Sequence, residues 1–193
     1  GKSTVASLIL RFHDVTDGAI ELNGTDIRNM PQKFLRDHLD YVQQKAWLFS
    51  GTIAENLRYS RPDAAEEELM HAADVAQAGD FIRSLPDGLQ SHVAQGGTNF
   101  SGGQKQRLSI ARALVKKPEL YIFDDSFSAL DFKTDAALRR ALAAETKDAA
   151  VLIIAQRVSS IRHADQIVVL HEGHRTLLEK KGAYAALYDC QFE

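Results

Sequence analysis

Apolar residues recur along this chain in two rhythms, one helical and one of short unbroken runs. A helix-like run, Val5 through Arg11, follows Gly1-Lys2-Ser3-Thr4. Pro31 opens another helix, with Phe34, Leu35 and Leu39 on one side; proline suits a first helical position, where its missing N–H would go unpaired anyway. Leu69, Ala72, Ala73 and Ala76 fall at helical spacing within residues 63–79. Glu66, Glu67 and Glu68 sit in the first turn, where the helix dipole favours acid, and are read as a solvated face. Leu108, Ile110, Ala111 and Leu114 mark an amphipathic helix that starts just after Gly102-Gly103, with Ser101 as its cap. Further helices are expected over residues 133–147 and 176–189.

The unbroken runs are Leu120 to Phe123, Val151 to Ala155 and Ile167 to Leu170, each read as a buried strand. A shorter strand begins at Tyr41-Val42 and ends at Gln43-Gln44, and residues 17–24 read as a surface hairpin element. Thr52 and Glu55 have the spacing of a capping box. Pro86-Asp87-Gly88 marks a turn, and Gln95-Gly96-Gly97-Thr98 a flexible loop.

Composition narrows the class. With 45% apolar and 25% charged residues over 193 positions, the chain supports one sizeable core, or a core with a subdomain. A net charge of −3 argues against a general nucleic-acid binder. The single cysteine, Cys190, cannot form an internal disulfide, which suits a reducing compartment. No apolar run approaches the roughly 18 residues that cross a bilayer. The chain opens at Gly1 without methionine or a signal peptide, as a piece of something longer would.

Four places carry candidate chemistry. In Ser101-Gly102-Gly103-Gln104, glycines beside a capped helix start make an anion site, although the same residues also suit an ordinary helix cap. Gly1-Lys2-Ser3-Thr4 matches the last half of G-x-x-x-x-G-K-[ST], in which Lys reaches phosphates and the hydroxyl reaches Mg²⁺; any helix start could share it. Asp124 and Asp125 end a buried strand at the edge where doubly wound α/β sheets bind ligands. A solvated acidic turn is the alternative, but two carboxylates there are costly without a cation nearby. Trp47 and Phe49 are either core or a docking surface beside a polar loop.

Taken together and in order, Gly1-Lys2-Ser3-Thr4, Gln44, Phe100-Ser101-Gly102-Gly103-Gln104, Leu120 to Asp124, Ser128-Ala129-Leu130-Asp131 and Gln156 resemble the nucleotide-binding domain of an ATP-binding cassette (ABC) transporter. The resemblance covers almost the whole chain. It implies an α/β P-loop NTPase fold, a RecA-like parallel sheet core with an ABC-type helical subdomain. The implied division is residues 1–43 as the first part of the core, 44–115 as the Q-loop and helical subdomain, and 116–193 as the second part of the core. ATP and Mg²⁺ are the implied cofactors. Gly1, Lys2, Ser3 and Thr4 resemble the end of Walker A, and Gln44 the Q-loop glutamine that approaches Mg²⁺. Ser101 to Gln104 resemble the signature motif, Asp124 the Walker B aspartate, and Asp131 part of the D-loop. Ser3, Gln44 and Asp124 are thus the implied metal-side residues. Residues 48–57 are similar to exporters, where this segment adjoins the groove for transmembrane coupling helices. That implies partners in a second nucleotide-binding domain and an upstream transmembrane domain, at the cytoplasmic face of a membrane, and no nucleic acid.

Departures from the family pattern sharpen the expectation. Asp125 stands where the family usually has the glutamate that polarises attacking water; the shorter side chain withdraws its carboxylate by about 1 Å, a displacement that costs on the order of 100-fold in rate. Gln156 replaces the usual switch histidine and cannot carry charge or shuttle a proton. Gln95 replaces an exporter glutamate. The pattern resembles the degenerate-site half of a heterodimeric exporter, whose own site hydrolyses slowly while its signature completes the partner's. A non-hydrolysing regulatory clamp and a soluble ABC ATPase of DNA repair or translation are the competing expectations. The missing front of Walker A implies weak ATP binding by this chain in isolation. About one short strand looks deleted after Gly173.

Overall fold

The computed structural model describes residues 1–156, 161, 164–171 and 174–176. Of the helix expected over residues 176–189, all but Thr176 lies outside them. The chain forms two compact units, residues 1–35 with 153–193, and residues 36–152.

In the first unit, helix α1 (Lys2–Ile9) begins directly after Gly1 and buries Ala6. The chain then reverses at Arg11, whose φ is 52°. The Arg11 guanidinium fastens this turn by donating to the carbonyls of Ile27 (3.1 Å) and Met30 (2.8 Å). The surface hairpin is present but short: β1 (Glu21–Leu22) pairs antiparallel with β2 (Thr25–Asp26). Asn23 and Gly24 turn it with φ of 51° and 76°, the left-handed pair that matches strand twist. The run Ile167 to Leu170 is not a buried parallel strand. Its end forms β8 (Val169–His171), the first arm of an antiparallel hairpin with β9 (His174–Thr176), and Val168 is 52% exposed. Four apolar residues do not distinguish the two arrangements. A return strand therefore stands where the sequence suggested a deletion and the start of a helix.

Helix α2 (Gln32–His38) leads into the second unit, following Pro31 as expected and burying Leu35. Phe34 is 49% exposed, and Leu39 belongs to the next strand instead. That strand, β3 (Leu39–Val42), pairs in parallel with β6 (Leu120–Asp124), in register from Leu39 opposite Leu120 to Val42 opposite Phe123. β7 (Ala150–Ile154) completes the order β3-β6-β7. The central strand buries Tyr121, Ile122 and Phe123, as its unbroken apolar run demands. β7 departs from the expected burial: Ile154 is buried, whereas Ala150 and Val151 are exposed. Among the described residues it has a strand neighbour on one side only.

Between β3 and β6 the chain inserts a mostly helical segment. β4 (Gly51–Thr52) pairs with β5 (His92–Val93), and three helices lie between them: α3 (Ile53–Leu57), α4 (Glu66–Val75) and α5 (Gly79–Ser84). The Thr52–Glu55 capping box is formed. Helices α3 and α4 pack on α6 (Gly102–Lys116), which buries Leu108, Ile110, Ala111, Ala113, Leu114 and Val115. At its far end Lys116 Nζ donates to the carbonyls of Arg36 (2.7 Å) and Leu39, and lies 3.4 Å from Asp40, tying α6 to the start of β3. α7 (Phe132–Glu145) follows β6 and buries Leu138 and Leu142.

Glu68 is more than a solvated residue. Its carboxylate pairs with Arg61, accepts the Ala65 N–H at 3.2 Å and meets Lys117 at 3.3 Å, which together hold it at about 2, well below its ordinary value. A depressed acid stabilises the fold above its unfolded pKa, and the contribution disappears as pH falls through the folded one. Glu68→Gln should therefore lower stability at neutral pH, and its difference from the parent should shrink between about pH 4.5 and 2, as read by denaturant titrations across that window. Phe123, fully buried and ringed by Tyr121 and Phe127, should cost about 3–5 kcal/mol on substitution by alanine in the same assay.

Candidate functional site

Parallel pairing brings the ends of β3 and β6 side by side, and polar side chains cross between them. Asp124, the last residue of β6, is only 7% exposed, and its Oδ2 accepts a hydrogen bond from Tyr41 Oη at 2.9 Å. Burial, with Asp124 adjacent, pushes the Tyr41 phenol up to about 12. Asp125 follows with φ of 47°, in the left-handed region that aspartate tolerates better than most residues. Its Oδ2 accepts from Gln44 Nε2 at 3.0 Å. Buried Ser126 donates from Oγ to the Val42 carbonyl at 2.7 Å. Three successive residues after Phe123 are thus each bonded to β3 or the residues just beyond it.

This arrangement suits a hard cation. Asp124 offers a carboxylate, and Gln44, having turned its N–H₂ toward Asp125, offers its amide oxygen. An all-oxygen set with few carboxylates is the chemistry of Mg²⁺ held largely by phosphates and water.

At the start of α6, Ser101 Oγ accepts the Gln104 N–H at 3.2 Å, and Gln104 Oε1 accepts the Ser101 N–H at 2.9 Å. This reciprocal cap draws the two glycines into the helix, so it begins at Gly102, not after Gly103. A side chain at Gly102 would meet nothing within 4 Å, leaving room for a ligand against the backbone. Gly103 lies close to the next loop, where an added Cβ would come 3.4 Å from the Ala129 carbonyl. Asp131 ends that loop as the N-cap of α7, accepting the Thr134 N–H at 2.9 Å and hydroxyl at 2.7 Å, and these bonds hold its carboxyl below the usual range. In the first unit Gly1 caps α1, Lys2, Ser3 and Thr4 form its exposed first turn, and Gln156 is exposed just after β7.

Several contributors escaped the sequence reading. Gln106 is 1% exposed, and its Nε2 donates to the Gln43 carbonyl at 3.1 Å, joining α6 to the residue before Gln44. A glutamine four residues before Ile110, on the apolar face, was the available signal. Tyr41 and Ser126 gave none, since their partners lie more than 80 positions away. Burial removes the core alternative for the aromatic residues. Leu48 is core, while Trp47 (53%), Phe49 (42%) and Tyr59 (63%) are exposed, with Phe49 and Tyr59 stacked at 4.6 Å. Arg112 donates to the Trp47 carbonyl at 3.1 Å and lies 5.8 Å from the Phe49 ring centre. The loop at Gly96 is packed, not flexible: both glycines are buried, the Gly96 N–H bonds the Leu48 carbonyl at 2.9 Å, and a Cβ there would meet the Trp47 ring at 3.1 Å.

Comparison with known proteins agrees with this geometry. A family model described as ABC transporter matches residues 1–128. The chain belongs to the ABC transporter family. An ABC transporter ATP-binding protein of Mycobacterium bovis is 46% identical over 96% of this chain and 33% of its own length. A Staphylococcus aureus protein, provisionally named a multidrug export ATP-binding/permease protein, is 45% identical over 99% of this chain and 34% of its own length. A bacterial Atm1-family ABC exporter, solved with ATP bound, superposes with a TM-score of 0.93 and 38% identity over 100% of this chain and 35% of its own. The ABC transporter chain described here thus spans about a third of the length of these relatives, and it has the P-loop NTPase fold of the family's nucleotide-binding domain. Among the described residues no helix is long and apolar enough to cross a membrane.

The Ser101 cap can be tested separately from any ligand. Ser101→Ala should lower the unfolding free energy by about 1 kcal/mol, and Ser101→Asn should recover most of it, as measured by denaturant titration.

Proposed function

We propose that this chain is the ATP-binding, energy-coupling domain of an ABC exporter, acting with a second nucleotide-binding domain at the cytoplasmic face of a membrane. ATP and Mg²⁺ are its cofactors. Gly1, Lys2, Ser3 and Thr4 hold the phosphates, and Ser3, Gln44 and Asp124 supply the oxygens around the cation. Bound there, Mg²⁺ would neutralise charge developing on the phosphates. Residues 44–115 form the helical subdomain between the two parts of the core, residues 1–43 and 116–193. The exposed Trp47, Phe49 and Tyr59 receive the coupling helices of an upstream transmembrane domain.

The site is proposed to hydrolyse slowly. The observation that carries this is the Asp125 carboxylate, one methylene short and held by the Gln44 amide at 3.0 Å. A general base must lie within hydrogen-bond reach of the water it activates, and a carboxylate committed to an amide is poorly placed for that. Gln156 orients a phosphate oxygen without contributing charge. The Ser101 to Gln104 helix start, exposed at Ser101 and Gly102 and with Asp131 in the loop after Asp124, completes the opposing subunit's site, so this chain's catalytic contribution is made in trans. The same commitment of Asp125 to Gln44 favours one second reading, a clamp that binds ATP without hydrolysing it.

In the complete transporter, Asp125→Glu combined with Gln156→His should raise turnover at this chain's site by about 10–100-fold, read by single-turnover hydrolysis with the opposing site disabled. No increase would remove the physical basis of the slow-site reading. Full activity in a complex whose opposing subunit has lost its own catalytic glutamate would exclude the asymmetric division of labour.

A further inference from the structure

We propose that Tyr41 is a positioning residue that fixes which oxygen of Asp124 is presented to the divalent cation. This rests on the nucleotide site proposed above and concerns the chain's own residues around it.

A carboxylate at a metal site has two equivalent oxygens and a torsion that exchanges them. Equivalence ends when a fixed donor claims one of them. Here Tyr41 Oη donates to Oδ2 of Asp124 at 2.9 Å, which reserves Oδ1 for the cation or a water bound to it. The donor is itself well fixed. Tyr41 is a mid-strand residue of β3, paired opposite Ile122 on β6, so its ring is carried by the same parallel ladder that carries Asp124 two residues further on. Asp124 is 7% exposed, which limits the water available to take the place of the phenol. Ser126, the other polar side chain buried beside it, is directed to the Val42 carbonyl at 2.7 Å and so reinforces the strand pairing.

The same strand end continues to Gln44, which donates to Asp125 at 3.0 Å. Tyr41 and Gln44, three residues apart, thus each orient one carboxylate of the Asp124-Asp125 pair. Partners of this outer kind fix ligand orientation, and their loss weakens metal binding by about tenfold or more. Tyr41→Phe removes one oxygen and keeps the ring that fills the strand face.

The test uses the complete transporter with a non-hydrolysable ATP analogue, the opposing subunit's phosphate-binding lysine replaced, and Mn²⁺ as the probe followed by electron paramagnetic resonance. Tyr41→Phe should weaken Mn²⁺ binding about tenfold and broaden the distribution of Mn²⁺ environments. Analogue affinity without metal should stay close to the parent, while loss of the hydrogen bond to the buried Asp124 carboxylate lowers the melting temperature modestly. In an Asp124→Asn background the added Tyr41→Phe should change Mn²⁺ affinity less than about twofold, because its effect acts through the carboxylate. Unchanged or tighter Mn²⁺ binding by Tyr41→Phe would overturn the proposal, as would an equal loss in the Asp124→Asn background or in metal-free nucleotide binding. If Asp124→Asn leaves Mn²⁺ binding intact, the nucleotide-site reading beneath the proposal fails instead.

Discussion

The parallel pairing of β3 with β6 is the constraint on which the candidate site depends. Four residue pairs in register set Val42 against Phe123, so the strands end together and the residues beyond them face one another. Burying the Asp124 carboxylate without a partner would be costly. The Tyr41 hydroxyl offsets that cost, and Ser126 satisfies the Val42 carbonyl where the ladder ends. One slip of register would move Tyr41 away from Asp124 and turn its side chain to the opposite face of the sheet. The apolar packing of Phe123 and Phe127, with Arg139 4.2 Å over the Phe127 ring, guards against it.

Helix α6 extends this constraint through the second unit. Its first turn carries Ser101 to Gln104, its middle holds Gln43 through Gln106, and its last turn holds the start of β3 through Lys116. Between these, Arg112 reaches the Trp47 carbonyl beneath the exposed aromatic cluster, and Lys105 packs where a side chain on Gly97 would otherwise go. The residues beneath the aromatic patch are therefore bonded to the same helix that begins at Ser101. The buried glycines Gly96 and Gly97 matter for the same reason: their positive φ lets the loop pass close to Trp47 and Leu48 without a side chain between.

Residue types with local causes were legible in the sequence. The Thr52–Glu55 box, the Ser101 cap, the Pro31 helix start and the apolar strand ending at Asp124 all formed, because caps and short apolar runs are decided within a few residues. Misreadings had non-local causes. The run ending at Leu170 became a hairpin arm, β7 was more exposed than its apolar sequence suggested, and the Gly96 loop was packed by Trp47. Glu68 looked like one of three solvated acids until Arg61 and Lys117 were seen beside it.

The sequence by itself determined the family, since its motifs are contiguous strings whose order and residue chemistry survive without coordinates. It also displayed Asp125 and Gln156, the two residues on which the slow-site proposal rests, as single positions beside those strings. Only the tertiary structure decided how the acids are held. Tyr41 with Asp124 and Gln44 with Asp125 are separated by 83 and 81 residues, and the inserted helices fold away between them. Such contacts are set by strand register and not by local propensity, so no spacing along the chain announces them.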